Sequence, residues 1–214
     1  MSDLRLIVEL IDVETSCVLD ELCFDGVEAN TLLNSLNITT DKLATGIGYD
    51  ISKGELALIR EIFSINKITE KVASGYLRHR YEEDDLPYKS HTNRELLLML
   101  RNEKPMSVFS GTYPWQSQVL IQMCEKFEPY VKQGRFVMRE HLEINAQDER
   151  LSVKRIFFAL PIEAWRIDAY MLMWKTAKIS GWNDTLELIE GSLLGYTDEQ
   201  NQIHLLRKRQ LQSI

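Results

Sequence analysis

The sequence predicts an α+β protein in which a small, mainly antiparallel sheet containing a hairpin over residues 135–160 is packed by several helices. Three observations predict it. Residues 135–144 alternate apolar and charged side chains, residues 152–160 are rich in apolar ones, and a polar connector between them suits a hairpin loop. After Pro161, the segment 162–178 is apolar on most faces, the pattern of a helix that is largely buried. Strand-like and helix-like segments do not alternate regularly along the chain, which argues against a doubly wound parallel sheet.

Taken in order, Leu4, Leu6, Val8 and Leu10 occupy alternate positions and suit a half-buried strand. Ile7 and Ile11 fall on its second face, so a strand buried on both sides, or a short helix, also fits. Asp25-Gly26 marks a turn, and residues 27–36 read as a helix. Ser52 and Glu55 form a capping-box pattern ahead of Leu56, Ile59, Ile62 and Phe63 at helical spacing. From residue 68 to 81, Ile68, Val72, Tyr76 and Arg80 favour a helix, while Gly75 and the alternating view make a strand the competitor.

The acidic run Glu82-Glu83-Asp84-Asp85, closed by Leu86-Pro87, resists burial and reads as an exposed connection. It predicts a helix-rich N-terminal subdomain over 1–85 and an α+β core domain over 86–214, unless the two run on as one continuous domain. Thr92 and Glu95 repeat the capping pattern and place a helix at 93–101, stopped by Lys104-Pro105. Met106 to Phe109 then suits a strand that joins the hairpin sheet, with the N-terminal strand as a further member. Residues 116–127 are helical in pattern up to Pro129. Pro161 and Glu163 start the long apolar helix, Ser180-Gly181 ends it, and helices follow at 184–194 and 198–209.

With 32 acidic against 25 basic residues the chain carries a formal charge of -7. That disfavours a general nucleic-acid binder, which needs a dense basic surface, and suits docking on a basic protein partner. Cys17, Cys23 and Cys124 are too few and too scattered for a disulfide framework, and their apolar neighbours suggest buried, inert thiols. No run approaches the roughly 18 uninterrupted apolar residues of a membrane helix, and acids interrupt the apolar N-terminus, so a cytoplasmic protein without membrane contact is expected.

The densest chemistry lies around the helix start at 86–95. His91 with Glu95 suits general acid–base work, and Tyr88, Lys89 and Arg94 suit an anionic ligand at a helix N-terminus. Against this stands a structural reading, because Thr92 and Glu95 already serve as caps. Arg166 and Asp168 are charges in an otherwise apolar helix, so each needs a partner or an open cleft. Glu163, three residues before Arg166, is the obvious partner, and anchoring to the sheet and a neighbouring helix is the bland alternative. Trp182 suits either a recognition surface or the closure of a core.

Motifs for bound groups fail on context. GIGYD at 46–50 lacks the third glycine of a dinucleotide loop, no GKS or GKT occurs, and no HExxH or GxSxG is present. No cofactor and no metal is therefore expected, and nothing in the sequence bears on oligomeric state. Two functions fit. One is a non-catalytic interaction protein of the immunity, inhibitor or adaptor type, contacting its partner through Glu82, Glu83, Asp84 and Asp85. The other is a small-molecule enzyme or sensor that binds an anionic ligand between the 92–101 and 162–178 helices.

Overall fold

Strand β1 (Arg5–Asp12) is paired along both edges, and its central residues are buried on both faces. The computed structural model describes residues 4–39, 43, 48–80, 86–113, 118–145, 147–148, 150 and 152–211. The fold is α+β and divides into two compact units, Met1–Leu97 and Leu98–Ile214.

In the first unit an antiparallel sheet has the order β2-β1-β4-β3, where β2 is Val18–Asp25, β3 Tyr49–Ile51 and β4 Val72–His79. Leu6, Val8 and Leu10 meet Leu22 and Phe24 of β2 and Leu77 of β4 in the core. Helix α1 (Gly26–Ser35) adds Ala29, Leu32 and Leu33, and α2 (Lys53–Phe63) adds Leu56 and Ile59. Both halves of the Ser52–Glu55 capping box form: Glu55 N–H donates to Ser52 Oγ at 3.3 Å and Ser52 N–H to the Glu55 carboxylate at 2.8 Å.

The helix favoured over 68–81 is instead β4. Its partner is remote in sequence: Leu77 lies opposite Val8, and Gly75 faces Leu56, Ile51 and Val8, where an added Cβ would sit 3.1–3.3 Å from those side chains. The 93–101 helix is also shorter than its pattern suggests. Asn93 has φ +60°, which no α-helix admits, so α3 runs Glu95–Leu100 after a turn closed by Arg94 N–H on the His91 carbonyl.

The second unit holds an antiparallel sheet of order β5-β7-β6, with β5 Met106–Tyr113, β6 Val137–Glu143 and β7 Ser152–Ala159. The expected hairpin is β6–β7, and the Met106 strand joins it along β7. The N-terminal strand belongs to the other sheet. One face of the three-stranded sheet packs aromatics: Phe127, between α4 (Gln118–Glu125) and α5 (Glu128–Lys132), stacks on Phe158 at 4.3 Å and meets Phe109 and Phe136.

On the other face, Met106, Phe157 and Ala159 pack against Ile167, Tyr170 and Met173 of α6 (Trp165–Ser180). Leu186 and Leu193 of α7 (Asp184–Leu193) complete that core, and α8 (Asp198–Leu211) follows. Gly195, at φ +94°, makes the turn between them, and a Cβ there would lie 2.4 Å from Pro105 Cδ. The apolar helix after Pro161 thus buries one stripe. Its opposite face leaves Trp165, Leu172 and Ile179 exposed, because a single sheet contacts only one side of a cylinder.

The cysteines also differ from expectation. Cys17 is buried and Cys124 half-buried, its thiol pushed up to about 11 by burial, but Cys23 is exposed. Strand alternation sends Leu22 and Phe24 into the core and Cys23 to the opposite side.

Candidate functional site

In the first unit, pairing places Glu9 opposite Glu21, and Ile7 opposite both Cys23 and Arg78, so these side chains share the sheet face away from the main core. Above it lies the segment after Leu86, and the two enclose a cleft of about 770 Å³ lined by Glu9, Glu21, Cys23, Lys67, Arg78 and Lys89, with Tyr88 at its wall. Its charges pair internally. Arg78 Nε donates to Glu9 at 2.8 Å, and Lys89 lies 2.7 Å from Asp20 and 3.5 Å from Glu21, while Lys67 lies 3.1 Å from Asp20. Burial raises the Asp20 pKa, but Lys89, the Glu21 N–H and Lys67 outweigh it and bring the carboxyl down to about 2.

Of the residues the sequence picks out around the helix start, the structure brings Tyr88 and Lys89 to this cleft. His91, Arg94 and Glu95 do not line it. Arg94 is buried, and its guanidinium donates to the Val18 carbonyl at 3.1 Å and the Leu19 carbonyl at 2.9 Å. Together with Val18 N–H donating to the Asn93 carbonyl, this fastens the segment before α3 to the start of β2. Helix α3 has six residues, too few for an anion site at its N-terminus. Glu82, Glu83, Asp84 and Asp85 lie outside the described residues.

The second unit holds Arg166, Asp168 and Trp182. Arg166 pairs with Glu163 at 2.7 Å, as their spacing suggests, donates to the Ser192 carbonyl at 2.9 Å and lies 4.9 Å over the Trp165 ring. Asp168 meets Arg139 of β6 at 2.7 Å. Both charges therefore tie α6 to its surroundings, Arg166 to the end of α7 and Asp168 to the sheet. Trp182 donates to Glu187 and packs 5.8 Å from Trp174.

A cluster that sequence reading missed lies alongside. Arg155 of β7, its side chain only 6% exposed, sits 4.0 Å over the Trp174 ring and pairs with Glu143 of β6 at 3.1 Å. Glu143 also pairs with Lys178 and accepts from Trp174 Nε1. Lys178 first, and then Arg155, hold the Glu143 carboxyl below the usual carboxylate range against the opposing effect of burial. The only sequence signal for the cluster is hairpin register, which sets Val153 opposite Glu143 and Arg155 opposite His141. Nearby, Tyr170 O–H donates to Glu190 at 2.7 Å, and burial pushes both groups up from their ordinary values.

The outer face of α6 departs from a solvated surface. Trp165 is 56% exposed, Leu172 68% and Ile179 89%, and these residues recur every seven positions. Half-buried Ala169 and exposed Thr176 fill the gaps between them. At about 100° per residue the three form one nearly straight stripe, with Asp168 and Lys175 both roughly 60° to the same side. Among the described residues no group of three or more His, Cys, Asp or Glu side chains is placed to hold a metal ion. None of their helices is long and apolar enough to cross a membrane. Comparison of the chain with protein-family models, with curated proteins and with solved structures gives no match.

Proposed function

We propose that the chain is a non-catalytic protein-interaction protein that recognises its partner through the outer face of α6. The observation that carries this reading is the exposed stripe Trp165, Leu172 and Ile179. Burying one such side chain is worth roughly 1.5–3 kcal/mol, so a row of three held in water is a strong drive for association. A tryptophan at one end fits the usual composition of binding hot spots. The excess of acidic residues argues against nucleic acid as that partner. Three cysteines, all free of disulfides, fit a cytoplasmic setting.

The test places a photo-crosslinking amino acid at Ile179 and irradiates cells that express the chain. A discrete protein adduct that disappears when Leu172→Asp is added is the expected result. Absence of any adduct at Ile179, and again with the crosslinker at Trp165, sinks the reading.

A further inference from the structure

We infer that the partner of the α6 face is a second copy of this chain, with the two α6 helices packed antiparallel about a two-fold axis near Leu172. The inference rests on the interaction reading above and adds the identity of the partner. Its basis is the self-complementarity of the stripe. In an antiparallel pair, apolar positions at seven- and three- or four-residue spacing interlock, so Trp165 of one helix falls beside Thr176 and Ile179 of the other, and Leu172 beside Ala169 and Leu172. Small Ala169 and Thr176 leave the holes into which the larger residues insert.

The flanking charges match the same arrangement and no parallel one. Asp168 and Lys175 lie seven residues apart on the same side of the stripe. Reversing the second helix sets Asp168 against Lys175 of the second copy, and Lys175 against its Asp168, giving two opposite-charge contacts. A parallel pair instead places the Asp168–Lys175 flanks of the two copies on opposite sides of the seam, where they do not meet. Asp168 is 72% exposed while it contacts Arg139, so one edge of its carboxylate remains open to a second cation. The net charge of -7 per chain opposes self-association only weakly at physiological salt, where fields between exposed charges decay over about 8 Å.

The experiment is sedimentation equilibrium of the full chain at about 1–100 µM, spanning the range in which a single-helix seam is expected to associate. The expected mass at the upper end is twice 24.9 kDa. Lys175→Asp sets Asp168 against a carboxylate twice per dimer and weakens association about five- to tenfold, as does Asp168→Lys. The double variant Asp168→Lys with Lys175→Asp restores it, although the substituted ammonium then faces Arg139. Rescue therefore reports the contact between copies and not the contact within one. Leu172→Asp gives monomers at every concentration while keeping the parent's circular dichroism.

A dimer indifferent to both reversals, or one that survives Leu172→Asp, overturns the inference, because another face then joins the copies. A parent that stays monomeric overturns it too. The wider interaction reading is judged apart, by whether the Ile179 crosslinker still traps a protein of different mass in a Leu172-dependent way.

Discussion

The guanidinium of Arg155 lies 4.0 Å from the centre of the Trp174 ring while it pairs with Glu143 at 3.1 Å, so one side chain joins β7 to both α6 and β6. Removing it costs the stacking and leaves Glu143 held by Lys178 and the Trp174 indole. Arg155→Met is expected to lower the unfolding free energy by about 1–2 kcal/mol, because the stacking and one charged hydrogen bond are lost while Glu143 keeps its other partners. Arg155→Lys is expected to recover little of that, because an ammonium cannot stack and fork at once. Urea unfolding followed by tryptophan fluorescence measures both. Losses under about 0.5 kcal/mol, typical of a surface change, would show the cluster to be peripheral.

Arg94 makes the complementary case in the first unit. Its donors meet the Val18 and Leu19 carbonyls, which β2 leaves open at its start. Arg94→Lys is expected to cost about 2 kcal/mol, since one ammonium does not reach both acceptors and one carbonyl is left unpaired. Faster amide exchange at Val18, whose N–H donates to the Asn93 carbonyl, should accompany the loss. Unchanged stability and exchange would remove the anchoring role and leave the Arg94 guanidinium available to a ligand.

Asp20 sets an acid limit on stability. Its folded value of about 2 lies below the usual 3.8, so its contribution is complete above 3.8 and is lost as pH falls towards 2. Asp20→Asn should therefore reduce stability at neutral pH and flatten the fall between roughly pH 4 and 2. Guanidinium unfolding of parent and variant across that window reads the difference. An identical slope in the two proteins would mean that Lys67 and Lys89 do not hold the carboxylate in solution.

Legibility in the sequence followed the range of the interaction. Ser52 and Glu55 are three residues apart and formed the capping box their spacing suggested. Arg166 and Glu163 paired for the same reason. The β6–β7 hairpin was readable because its strands are joined by one short polar connector. Residues 72–79 were harder, since their helical spacing is real and only pairing with β1 and β3, both remote in sequence, makes them a strand. Likewise the Thr92–Glu95 pattern fitted a cap, but anchoring of Arg94 on β2 drew Asn93 into the left-handed region and delayed the helix.

By itself, then, the sequence determined the α+β class, the hairpin, the principal helix starts and the apolar character of the segment after Pro161, because each depends on propensity and periodicity within a few residues. Tertiary structure alone decided that the strands form two sheets, that Arg155 rests on Trp174, that Cys23 faces outward, and which side of α6 is covered. Those outcomes depend on strand register and on what surface lies opposite, and neither is written in the local spacing of side chains.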